Sequence, residues 1–218
     1  VAGFAVSVFD GDGGITRAQA AGLLIPGGVY RSAQRVGLPT AGGLNSAAAI
    51  AANTMYAWPI PIAAGVTLSG MALQVGTAVA GVSGKLGLAL SGADGRPGTL
   101  VAEAPTPVDM NSAAAAELVA SFSANQTVPA GIVWGLCVFN GLAQPVTLSA
   151  FQASNIFLGH FLGAASIQNY TLIGTAGPTI RLSRAHTYAD AFPATLTGWT
   201  TATANAPPSS PVMVAVVA

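Results

Sequence analysis

The sequence predicts an all-β protein: a β-sandwich or jelly-roll-like domain with an irregular N-terminal arm before it and a β-rich C-terminal extension after it. Two observations carry this. Short runs that alternate between apolar and small or polar residues, or are apolar throughout, recur along the chain. Clusters of Gly and Pro separate them at the spacing of turns between strands.

The elements follow in order. Residues 1–44 read as an arm. Phe4 to Phe9 alternates like a short strand, Asp10 to Gly14 breaks it, and Thr16 suits the N-cap of a short helix within Ile15 to Leu24. Gly37 to Gly43 reads as a linker. The Ala-rich stretch 45–55 suits one or two helical turns or an extended crossing. Tyr56 to Ile62 is extended; Pro59 and Pro61 lack the ladder donor, which predicts an edge strand. In Val66 to Val75, Met71, Leu73 and Val75 share a face. In Lys85 to Leu90, Leu86, Leu88 and Leu90 point one way and Lys85, Gly87 and Ala89 the other. Ser91 to Gly98 is a polar turn before a strand over Thr99 to Ala104. A second Ala-rich piece at 111–117 precedes a strand from Leu118 to Ser123. Val128 to Gly131 is a turn. Ile132 to Phe139 is apolar on both faces, so it belongs at the centre of the core, with Cys137 as a small buried hydrophobe. Val146 to Phe151 is a further strand. Ile156 to Leu162 and Tyr170 to Ile173 are apolar. Val212 to Val217 has almost no polar content and must be paired, in its own sheet or with a neighbouring subunit. The expected organisation is an arm at 1–44, a sandwich domain at 45–162 and a C-terminal β extension at 163–218 that is a candidate for intersubunit contact.

Composition narrows the function. Only 6% of the 218 residues are charged, against roughly 25% in an ordinary soluble domain. Lys+Arg and Asp+Glu number 7 each, so the net charge is zero, and mean hydropathy is +0.61. Such a surface does little to hold copies of the chain apart, which points to burial against copies of itself or other proteins. Membrane insertion is not expected: the strongest apolar stretch, Ala130 to Phe139, is far shorter than the about 18 residues of a spanning helix. Nothing in the sequence reads as a secretory leader.

The chemical motifs are incomplete. Gly84-Lys85 lacks the rest of a phosphate loop, with Val79 and Leu86 at the positions of its Gly and its Ser or Thr. Asp10 and Asp12 lie in a Gly-rich turn, but Ala21 stands where an EF-hand places its closing acid. His160 and His186 are too few for a zinc site without help, and no nucleophile motif accompanies His186 and Asp190. Asp10, Asp12, Asp94, Glu103, Asp109, Glu117 and Asp190 fall mostly in turns with no visible glycosidase pairing. Arg17, Arg31, Arg35, Arg181 and Arg184 form no basic stripe, so nucleic acid is not an expected partner. No cofactor, metal site or catalytic residue is expected.

Residues about 53–162 resemble a β-sandwich module of tail fibres and other minor structural proteins of tailed bacteriophages. The resemblance rests on Tyr56-Ala-Trp58-Pro-Ile60, Val66 to Leu73, Gly84 to Leu88, the turn Asp94-Gly-Arg-Pro-Gly-Thr-Leu100, and the lead Val128-Pro-Ala-Gly131 into the Trp134 strand. Val133-Trp134 stands where the family usually carries an aromatic pair. The resemblance implies a non-enzymatic virion component, in the tail more than the head, that attaches the particle to its host, commonly as a homotrimer beside other virion proteins. Trp58, Tyr188 and Trp199 are the candidate contacts to a host-surface glycan or protein, since aromatic faces stack on sugars; the same rings also fill cores. A capsid decoration or head-fibre protein, a polysaccharide-degrading enzyme and a secreted adhesin are the alternatives.

Overall fold

A computed structural model describes residues 32–37, 44–45, 50–62, 65–114, 116–145, 147–148, 182–201 and 210–218. The expected strand at Phe4 to Phe9, the helix within Ile15 to Leu24, the Asp10–Gly14 turn, His160, and the apolar runs 156–162 and 170–173 lie outside them.

The described residues hold strands and no helix. In chain order these are β1 (Arg35–Val36), β2 (Leu44–Asn45), β3 (Thr54–Ile62), β4 (Val66–Gln74), β5 (Ser83–Ser91), β6 (Pro97–Glu103), β7 (Val108–Asp109), β8 (Glu117–Val128), β9 (Gly131–Phe139), β10 (Thr147–Leu148), β11 (Leu182–Ala185), β12 (Thr200–Thr201), β13 (Ser210–Pro211) and β14 (Met213–Val217). One sheet has the order β1-β14-β4-β8. The larger has the order β12-β11-β3-β9-β5-β6, with β7 also on β5. A small sheet joins β13, β10 and β2. Every pairing of the two main sheets is antiparallel, and they pack face to face as a β-sandwich.

β9 is central, as its two apolar faces require, with β3 and β5 as neighbours. Val133, Cys137 and Phe139 face the first sheet and Trp134, Leu136 and Val138 face the other way. β3 divides likewise, with Trp58 and Ile60 inward and Met55 and Ala57 outward; in β5, Leu86 and Leu88 oppose Ala89. The first sheet answers with Leu68, Met71, Leu73, Phe122, Met213 and Val217. Cys137 is fully buried, and burial pushes its thiol well above the usual range, consistent with a packing role.

β4 changes parity partway. Val66 and Leu68 are even-numbered and Met71 and Leu73 odd, yet all four enter one core. Against β14 the register shifts between Leu68 and Gly70, so Ser69 is the extra residue of a bulge; against β8 the surplus lies on β8, where Phe122 to Asn125 separate the partners Ser121 and Gln126. Gly70 sits at the tightest point: a Cβ there would lie 2.4 Å from the Ala120 carbonyl oxygen.

β3 departs from the expected edge strand. β11 pairs with it over Thr54 to Ala57, so that half is interior. The pairing ends before Pro59 and Pro61, whose missing donors are tolerated because no described strand covers that side. Strands on both sides of the expected boundaries at 44/45 and 162/163 are woven into shared sheets. β1 pairs with β14, β14 with β4, and β11 with β3. The apolar C-terminal strand thus finds its partners in its own chain. Of the Ala-rich stretch 45–55, Ile50 crosses in extended form, bridging to Ala143.

Gly70→Ala is expected to destabilise the fold by about 1–3 kcal/mol, because the backbone carbonyl at Ala120 cannot yield as a flexible side chain would. Urea unfolding followed by tryptophan fluorescence measures this, and an unchanged midpoint would contradict the close approach.

Candidate functional site

The outer face of the larger sheet is apolar and needs a cover. The chain between β11 and β12 supplies it. This strap leaves β11 at the β3 side, where the His186 amide donates to Asn53 O at 3.1 Å and the Tyr188 amide to Asn53 Oδ1 at 2.9 Å. It crosses to β6, where the Leu100 amide donates to Ala194 O at 2.9 Å and the Leu196 amide to Gly98 O at 2.7 Å. It then returns as β12 beside β11. One stretch of chain therefore joins the two edges of the larger sheet. Phe192, Leu196 and Trp199 hang from it into a second core with Met55, Trp134 and Leu136.

Two of the three candidate contact aromatics are structural. Trp58 is 0% exposed in the core between the sheets. Its indole Nε1 is buried with no partner among the described residues. Trp199 is 7% exposed; its Nε1 donates to Pro97 O at 2.9 Å, and its carbonyl accepts from Arg96 Nη1 at 3.1 Å, tying the strap to the β5–β6 hairpin. Neither ring offers a face to a partner, which corrects the expectation for both. Burial was within reach of the sequence for Trp58, since it alternates with Tyr56 and Ile60, but not for Trp199.

Tyr188 is half-buried at the end of the sheet where β3 and β5 begin and β9 ends. Lys85 Nζ lies 5.4 Å from its ring centroid, a cation–π contact. Burial pushes the phenol up, opposed by its hydrogen bond to Ser83. Lys85 also donates to Asp190 O at 3.0 Å and pairs with Glu103 Oε1 at 3.4 Å. The other Glu103 oxygen accepts the Phe192 amide at 2.7 Å. His186 stands edge-on to Phe192, ring centroids 5.5 Å apart. Asn53, Thr187, Asp190 and Asn140 are exposed around this rim. Asn53 has a φ of 52°, a conformation Asn tolerates better than most residues, and its side chain fixes the Tyr188 backbone. Sequence reading had not grouped Lys85, Glu103 and Asn53 with Tyr188. The one available signal was a lone Lys on the face of β5 opposite three leucines.

Other carboxylates serve local structure. Asp94 Oδ1 accepts the Arg96 amide and Asp109 Oδ1 the Asn111 amide. Glu117 takes a two-pronged hydrogen bond from Arg35, through Nε to Oε1 and through Nη2 to Oε2 at 2.9 Å. That bond holds the Glu117 carboxyl below its usual range and raises Arg35. His186 and Asp190 lie in a turn rather than a helix. Among the described residues no group of His, Cys, Asp and Glu suits a metal ion. No helix there is long and apolar enough to cross a membrane. The rim can offer an aromatic edge among amide, hydroxyl and carboxylate groups, a surface suited to a polar, ring-bearing ligand such as a sugar.

No protein-family model, no curated protein and no solved structure matches the chain.

Two outcomes are expected. Glu103→Ala strands the Phe192 amide and removes the Lys85 partner; it should lower stability by about 1–3 kcal/mol and speed hydrogen exchange across 186–199 ahead of the β9 amides. Uniform exchange would show that the strap does not depend on Glu103. The Arg35–Glu117 pair has a depressed carboxyl, so its contribution is present above the unfolded pKa and disappears as pH falls through the lower folded value. An exposed pair of this kind contributes about 0.2–1 kcal/mol. Glu117→Gln should therefore be less stable than the unmodified chain at pH 7 and equal to it at acid pH, measured by denaturant midpoints.

Proposed function

We propose that the chain is a non-catalytic structural component of a bacteriophage-like particle, placed in the tail, that self-associates and takes part in attachment to the host surface. The observation that carries this reading is that the chain has few ionic groups and, among the described residues, all four Lys and Arg side chains are held by groups of the same chain. Arg35 is held by Glu117, Lys85 by Glu103 and Asp190 O, Arg96 by Trp199 O and Arg184 by Thr197 O. With 6% charged residues and zero net charge, little repulsion keeps copies apart, and assembly is the stable resolution. The residues behind the resemblance to the tail module support it further. They form β3, β9, β5 and β6, neighbours in the larger sheet, and β4 of the sheet packed against it.

In this reading the end of the larger sheet that carries Tyr188 faces the host. A glycan or a surface protein lies against the exposed part of the ring, and Asn53, Asp190 and Asn140 supply hydrogen bonds around it. The second core keeps the rim rigid, so binding orders few side chains.

Gold-labelled antibody on intact particles is expected to mark the tail; label on the head would replace this reading with that of a capsid decoration. Purified chain is expected to bind host cells, and Tyr188→Ala to weaken binding roughly tenfold, about 1.4 kcal/mol. Release of reducing ends from host polysaccharide would instead establish an enzyme.

A further inference from the structure

An uncovered sheet edge is a row of unpaired N–H and C=O groups, and proteins that stay separate protect such edges with charge, proline or a covering segment. The edges here differ. β6 is covered by the strap at Ala194 to Leu196. β1 and β12 are two residues long. β8 ends the order β1-β14-β4-β8, is 12 residues long, and has no described strand on its far side. From Leu118 to Val128 it carries neither a charged residue nor a proline.

The direction of its backbone groups follows from the ladder. The Val75 amide donates to Ala116 O at 2.9 Å, and Leu73 and Met71 oppose Leu118 and Ala120. Antiparallel strands alternate bonded and non-bonded pairs, so Glu117, Val119 and Ser121 turn their N–H and C=O groups to the free edge. Val119 is 43% exposed, one of the two exposed large apolar side chains among the described residues. It lies opposite Ala72, which is buried and lies in turn opposite Val214. Beyond Ser121 the register jumps to Gln126, which limits the regular edge to Glu117–Ser121.

We propose that this edge pairs antiparallel with the same edge of a second copy, across a two-fold axis through Val119. The pairing is isologous and makes about six backbone hydrogen bonds, two for each bonded pair. Its charge pattern fits a copy of the chain. Glu117 is the one ionic group on β8 and is already neutralised by Arg35. In this register it lies opposite Ser121 of the partner subunit, not opposite a second carboxylate. The chain has zero net charge, so two copies approach without net repulsion. The exposed Val119 side chains of the two copies meet at the axis. The proposal rests on the self-association in the reading above and gives it a surface and a symmetry. A trimer would need β8 to meet a different edge, and neither the covered β6 nor the two-residue β1 and β12 offers one of its length.

Light scattering of the full chain is expected to give the mass of two copies. Val119→Lys places two ammonium groups at the axis and should give the mass of one copy. Val119→Pro removes an edge N–H that makes no bond to β4 and should act alike. Hydrogen exchange at the Val119 amide of the unmodified chain needs no variant: it should be slow in concentrated solution and fast after dilution. A monomeric or trimeric unmodified chain overturns the proposal, as does a folded Val119→Lys chain that remains a dimer. So does slow exchange at every dilution, which would mean that another segment of the same chain covers the edge. Tail labelling and host binding are measured separately, so a monomer that still marks the tail and binds cells removes the dimer and leaves attachment standing.

Discussion

The architecture depends on three adjacent strands, β3, β9 and β5, whose side chains are apolar on both faces. A sheet packed on one side only would leave Met55, Ala89, Trp134, Leu136 and Val138 in water. Each large side chain left out would forgo about 1.5–3 kcal/mol of burial. Two covers are therefore needed. The β1-β14-β4-β8 sheet supplies one, and the strap between β11 and β12 supplies the other.

The two covers are held differently. The first is a sheet whose fit depends on glycines at close approaches, Gly70 against the Ala120 backbone and Gly135 against the Met71 and Met213 side chains. The second has almost no ladder of its own. Besides the backbone bonds to Asn53, Gly98 and Leu100, it is fastened by side chains: Asn53 at one end, Lys85 and Glu103 in the middle, Arg96, Arg184 and the Trp199 indole at the other. Four of the nine described Asp, Glu, Lys and Arg side chains, Lys85, Arg96, Glu103 and Arg184, are used in this way. The low charge content itself links the fold to the proposed function, because few ionic groups are present to keep copies apart.

The Tyr188 rim arises at the junction of these devices. Asn53 ends the approach to β3, Ser83 opens β5, and the strap passes between them. An aromatic ring in that position is supported from below by Lys85 and carried on backbone tied to a sheet end. Sites on rigid supports of this kind bind with little ordering of their own.

The sequence by itself determined the class and the centre of this protein. Strand positions from Tyr56 to Phe139 followed from local alternation, and the central place of Ile132 to Phe139 from its two apolar faces, because a side chain's face in a strand depends only on its neighbours. Tertiary structure decided everything that joins distant residues. The pairing of β14 with β4, the rescue of β3 from the edge by β11, and the meeting of Lys85 with Glu103 and Tyr188 each span long stretches of chain. Periodicity carries no record of such meetings. It also could not separate Trp199, buried under its own strap, from Tyr188, left partly open: both sit in irregular chain, where exposure is set by what folds over the residue and not by its place in a repeat.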